Sequence, residues 1–206
     1  MPETKESDRD VETRIMLLDG PFGDDPHVRE RARAAEWLVE HAERAYPMLI
    51  TWLETGRAGA GAVALLPRFA RVESIDTLTR LLAGPEAIAW QAGQSLAQHP
   101  QPSAGQALRQ ALTHPDATIA MVAADGLGTR GDRGDCAALS ERLGAAHAGL
   151  RYHVLHAAAR LGCLRREAIG QLARTDPDAQ VRGLASQLLG EPPVDSANQW
   201  RSGATR

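Results

Sequence analysis

Residues 176–190 read Asp-Pro-Asp-Ala-Gln-Val-Arg-Gly-Leu-Ala-Ser-Gln-Leu-Leu-Gly. Val181, Ala185 and Leu189 stand four apart, which puts a branched, a small and a large apolar side chain on one helical stripe. Asp176 is a good helix N-cap, Pro177 is tolerated in a first turn, and Gly190 follows the last large apolar residue, as helix ends prefer. The same stripe returns without gaps at Ile88, Ala92 and Leu96 and at Ile119, Ala123 and Leu127, preceded by Pro85 and Pro115. Leu127-Gly128 and Leu161-Gly162 repeat the stop signal.

Weaker copies extend the series. Asp25-Pro26-His27-Val28-Arg29 with Ala32 and Leu38 opens it, and Leu150, Val154, Ala158 and Leu161 fill a further interval. The terminal large residues Leu38, Phe69, Leu96, Leu127, Leu161 and Leu189 are spaced 31, 27, 31, 34 and 28 apart, room for two short helices and two turns. Between these second helices lie partner helices with their own stripes: Ile50 and Leu53; Ile75, Leu78 and Leu82; Leu108 and Leu112; Cys136, Leu139 and Leu143; Leu164, Ala168 and Leu172. One such pair cannot bury both apolar faces, so neighbouring pairs must stack. The sequence predicts an all-α protein, an α-solenoid of about five stacked antiparallel helix pairs. Its predicted parts are an N-terminal segment over 1–23, partly disordered but with Ile15 to Leu18 as a possible cap, the solenoid over 24–191, and a polar tail over 192–206 that carries Trp200.

The pattern at 176–190 resembles the HEAT repeat, in the shorter HEAT-like form of bacterial proteins and phycobiliprotein lyases, and the resemblance covers roughly residues 24–190. It implies fold more than function, because the signature records packing. Arg29, Arg151 and Arg182 stand where the repeat places an arginine, and are expected to bond acidic turn residues such as Asp25 and Asp176. Ala89 and Ala120 interrupt that ladder, and Pro67 is expected to kink or shorten its helix and bend the chain near 59–68.

The composition agrees. Among 206 residues there are 36 Ala and 24 Leu but only 9 Val, 6 Ile and 8 aromatics, a mixture that favours helices and starves sheets. A net charge of −3 supplies no overall field toward nucleic acid or an anionic membrane, and no apolar window is long enough to span a bilayer. Cys136 and Cys163 are too few and too far apart for a disulfide framework, so reduced thiols are expected. With the charged start MPETKESDRDVETR, the expectation is a soluble, cytoplasmic chain.

Catalytic constellations are not found in the sequence. Gly59-x-Gly61-x-x-Ala64 has dinucleotide-fingerprint spacing but follows a helical run where that fingerprint needs a strand, so it reads as a turn. The single lysine, Lys5, excludes a P-loop. His153 and His156 lie one helical turn apart, with no carboxylate or third histidine in sequence reach, and read as a solvent-facing or interfacial pair. The HEAT-like hydroxylases carry repeated His-Glu dipeptides, which this sequence lacks. Arg130-Gly131-Asp132-Arg133-Gly134-Asp135 reads as a turn entering the next helix, and Cys136 as a buried core residue. No catalytic residue, metal or cofactor is expected.

If the second helices line a concave side, residues one, two, five and six after each starting apolar residue face into it. Those are Ala89, Trp90, Gly93 and Gln94; Ala120, Met121, Ala124 and Asp125; Arg151, Tyr152, Leu155 and His156; and Arg182, Gly183, Ser186 and Gln187. Trp90, Met121 and Tyr152 form a ladder of large side chains on a mostly neutral surface, the composition of a protein-binding groove or of helix packing. The expected function is a non-catalytic module that binds a protein or peptide through Trp90, Met121 and Tyr152, with Gln94, Asp125 and His156 as polar neighbours. No nucleic-acid or membrane partner is expected, since only Arg151 and Arg182 are basic among those sixteen positions. The alternatives are an inhibitor or immunity protein for a toxin, and a subunit of a phycobiliprotein-lyase-like enzyme.

Overall fold

The order of helices follows the predicted alternation. The computed structural model describes residues 3–19 and 25–190; the predicted tail over 192–206, with Trp200, lies outside the described residues, as do 1–2 and 20–24 of the N-terminal segment. Twelve α-helices and no strand occur among the described residues: α1 (Glu3–Leu18), α2 (Asp25–Glu40), α3 (Ala42–Glu54), α4 (Ala60–Phe69), α5 (Ser74–Leu81), α6 (Glu86–Gln98), α7 (Pro102–Leu112), α8 (Ala117–Arg130), α9 (Cys136–Arg142), α10 (Ala148–Arg160), α11 (Arg166–Thr175) and α12 (Ala179–Leu189). The chain divides into two compact units, Met1–His114 with α1 to α7 and Pro115–Arg206 with α8 to α12.

In the first unit α1 packs on α2 and α3, α4 on α6, and α5 on α6 and α7. The described part of the N-terminal segment is thus a helix, with Val11, Ile15 and Leu18 buried. Leu38, Leu49, Leu66, Leu78, Leu96 and Leu108 form the interior. Pro67 sits in the last turn of α4, a helix of ten residues that ends two residues later. Its ring removes the donor for the Val63 carbonyl. Ser95 of α6 supplies the replacement, its hydroxyl donating to Val63 O at 3.0 Å. The glycines of the Gly59-x-Gly61 motif belong to the start of α4, where the Asp19 carboxylate accepts from both of their amides. The anion-binding end of that helix is therefore filled from within the chain. A Cβ on Gly61 would lie 2.1 Å from Leu18 O, so the end of α1 can rest there only on a glycine.

In the second unit α10 packs on α8 and α12, α9 on α10, and α11 on α12. Gly128 does not end its helix as the sequence suggests. α8 continues to Arg130 and is closed by Gly131 at φ 80°, while Gly128 lets α10 approach, a Cβ there falling 2.9 Å from Ala157 Cα. Asp176 is likewise not the N-cap of α12. Asp178 is, accepting from the amides of Gln180 and Val181, whereas Asp176 is bonded by Arg151. The Arg130–Asp135 run forms the predicted turn, with a single 3₁₀ turn over Arg133–Asp135 capped by Asp132.

A further expectation is overturned, and Cys136, read as a buried core residue, is half-buried. Cys136 and Cys163 are not reduced thiols but a disulfide, Cα to Cα 5.2 Å across a separation of 27 residues. Cys136 opens α9 and Cys163 follows the end of α10, and antiparallel pairing returns the chain to within bonding distance. Sequence spacing alone hides that return.

Candidate functional site

The four columns expected to face outward separate into two. Ala89, Ala120 and Arg151 are buried, and so are Gly93, Ala124, Leu155 and Ser186. Positions two and six reach the surface: Trp90, Met121, Tyr152 and Gly183 are half-buried, as are Gln94 and Asp125, and His156 and Gln187 are exposed; Arg182 is the one half-buried residue of the other two columns. Positions one and five lie a helical turn apart on the flank that neighbouring helices cover, and their mostly small side chains permit close approach.

Met121 and Asp125 on α8 and Tyr152 and His156 on α10 come from adjoining helices of the second unit. Trp90 and Gln94 lie on α6 of the first. The Met121 sulfur lies against Gly149, where an added Cβ would sit only 2.9 Å from it, so this side chain packs onto α10. Asp125 faces His153 Nδ1 at 3.1 Å, a contact that joins α8 to α10 and accounts for one of the two histidines. The Tyr152 and His153 rings meet edge to face with centroids 5.7 Å apart.

Beyond Tyr152 a cleft of about 520 Å³ opens between α10 and α12. Gly149, Tyr152 and His153 form one wall, and Gln180, Gly183, Leu184 and Gln187 the other. Tyr152 is backed by a buried cluster of Leu155, Ala173, Val181, Leu184 and Ala185. Gly183 meets nothing within 4 Å of where a Cβ would be, and this vacancy is part of what makes the cleft. Gln180 and Leu184 were not among the expected site residues. They lie one residue before and three after Val181, so a rule counting only positions one, two, five and six passes over them.

A buried ion pair ties α10 to the turn before α12. Arg151 donates to both oxygens of Asp176 and to the carbonyls of Ala145 and Ala146. Arg182 donates to the carbonyls of Asp176 and Pro177. The two basic residues of the expected surface are thus committed to turns of the chain.

In the first unit, Ser74 Oγ and His99 Nε2 lie 2.9 Å apart with both residues almost fully buried. The Gln101 amide donates to His99 Nδ1 at 3.2 Å, so Nε2 carries the proton and donates to Ser74, whose own hydroxyl donates to Arg71 O. That polarity is the reverse of an activated serine, in which the imidazole accepts the hydroxyl proton. A second cleft, about 460 Å³ between α1 and α2, holds Asp10, Arg14, Glu30 and Arg33, two charges of each sign. Its Arg14 stacks on Trp37 at 4.0 Å and bridges Asp10. Among the described residues no three His, Cys, Asp or Glu side chains are grouped to hold a metal ion. No described helix is long and apolar enough to cross a membrane.

Residues 75–159 match the family model of HEAT repeats, so the chain carries HEAT repeats there, within an all-helical fold of paired helices. Among solved structures, the chain is similar to the complex of CpcE and CpcF of phycocyanin lyase from Nostoc sp. PCC7120. The two are 19% identical, with 87% of this chain and 76% of that chain covered, at a TM-score of 0.45. No curated protein matches the chain.

Proposed function

We propose that this protein is a non-catalytic binding module that takes an extended peptide segment of a protein partner in the cleft between α10 and α12. The observation that carries this reading is the cleft itself: about 520 Å³ with a supported aromatic wall at Tyr152 and amide side chains at Gln180 and Gln187 on the opposite rim. A primary amide both donates and accepts, which suits the alternating polarity of a peptide backbone. An aromatic anchor ringed by polar groups is the usual composition of a binding hot spot. Met121, Asp125 and His156 extend the surface over α8 and α10, and Trp90 and Gln94 offer a similar pair on α6.

The test is selection of a displayed random peptide library on the purified protein, followed by titration of the enriched peptides. Gly183→Leu fills the cleft from a position with no neighbour to displace, and Tyr152→Ala removes the anchor. Enriched peptides should lose at least roughly tenfold in affinity to each variant. Equal binding by wild type and Gly183→Leu would refute the assignment.

A further inference from the structure

We propose that the Cys136–Cys163 disulfide is a redox-responsive clasp on helix α9, opened by a dithiol reductant of the thioredoxin class. One reductant thiolate attacks a sulfur of the bond to give a mixed disulfide, and the second displaces it. Two electrons and two protons pass to the protein, which gains two thiols while the reductant closes its own disulfide.

The inference rests on how short α9 is and how little of it is buried. With seven residues it is the shortest of the described α-helices, and Leu139 is the one side chain it buries fully. A helix of two turns is not self-supporting. The bond ties its first residue to the chain just beyond the end of α10, with the 27-residue separation containing both α9 and α10. Nearby, Arg133 Nη2 donates to Gly162 O at 3.3 Å, an exposed contact of little holding power.

Both half-cystine residues also reach solvent. Cys136 and Cys163 are both half-buried, not sealed in the core. The Arg133 guanidinium is bonded to the carbonyl one residue before Cys163, and a positive charge on that side favours departure of a protein thiolate when the reductant attacks. Loosening of α9 has a path to the cleft. Leu143 at its end and Leu164 beside Cys163 pack against the same buried cluster that backs Tyr152.

Amide hydrogen exchange on the full chain tests the clasp, with thiol titration to verify that dithiothreitol has released two thiols. The expected result is that amides of 136–143 exchange on the order of a hundredfold faster after reduction, while α8 and α12 keep their protection, and that oxidised glutathione restores the slow rates. The double variant Cys136→Ser with Cys163→Ser should show the fast pattern under both conditions. Unchanged exchange in 136–143 after verified reduction would overturn the proposal. So would loss of protection across α8 and α12 alike, which would make the bond a global staple, or resistance of the native bond to the dithiol. None of these readouts involves a bound peptide, so the clasp stands or falls apart from the binding function.

Discussion

Arg151 grips Asp176 through two parallel bonds, Nε to Oδ2 at 2.9 Å and Nη2 to Oδ1 at 2.8 Å, with both side chains buried. Burial by itself raises the Asp176 pKa. The bond from Arg151, the Asp178 amide and the charges of Arg151 and Arg182 outweigh it and hold the carboxyl below its ordinary 3.8. A lowered folded pKa contributes stability that is complete above the unfolded value and lost as pH falls through the folded one. Urea denaturation of the wild type should therefore show stability declining as pH drops below about 4, and Asp176→Asn should flatten that part of the profile. Arg151→Ala leaves a buried carboxylate unpaired and should cost about 3–5 kcal/mol at neutral pH.

Ser95 and Pro67 make a second testable pair, because the hydroxyl of one replaces the donor that the other lacks. Ser95→Ala strands a buried carbonyl and should destabilise the protein by about 1–3 kcal/mol. Pro67→Ala restores an amide that can reach Val63 O. In the double variant most of the Ser95→Ala penalty should disappear, an interaction that a double-mutant cycle measured by thermal melts resolves. Additive penalties would show that the Val63 carbonyl does not couple the two sites.

The repeat was legible because its signals are local. Stripes such as Ile119, Ala123 and Leu127 lie within one helix, and periodicity along a single element needs no knowledge of its neighbours. What escaped depends on pairs far apart in sequence. Gly128 looks like a helix stop until Ala157 is seen against it, and the two cysteines look remote until α9 and α10 fold back on each other. The candidate site was half legible for the same reason. Counting residues along a helix names the flank that holds Tyr152 and His156, but whether Ala120 or Met121 meets solvent is decided by the adjacent helix. The cleft, formed in part by the missing side chain at Gly183, leaves no positive signal in the sequence at all.

Asp19 and Gly61 join α1 to the start of α4, and their variants should separate sterics from capping. Gly61→Ala drives a Cβ into Leu18 O and should destabilise by about 1–3 kcal/mol, with faster amide exchange in α1. Asp19→Ala removes the acceptor for the Gly59 and Gly61 amides without a clash, and a loss of about 1 kcal/mol is expected in denaturant titration.

Gly128 and Gly183 stand inside helices of the same unit, yet alanine should act on them with opposite sign. Replacing a helix-interior glycine gains about 0.5–1 kcal/mol where the new methyl has room, because the unfolded chain loses freedom and the helix gains a better former. Gly183 has that room, with nothing within 4 Å, so Gly183→Ala should raise the thermal midpoint. At Gly128 the methyl meets the Cα and Cβ of Ala157, both at 2.9 Å. Backbone on α10 cannot swing aside as a long side chain can, so the two helices must part and the packing between them is strained. Gly128→Ala should therefore lower stability by about 1–3 kcal/mol despite its better helix propensity. A rise in midpoint for Gly128→Ala would mean that α8 and α10 are held less closely than their contact at Ala157 requires.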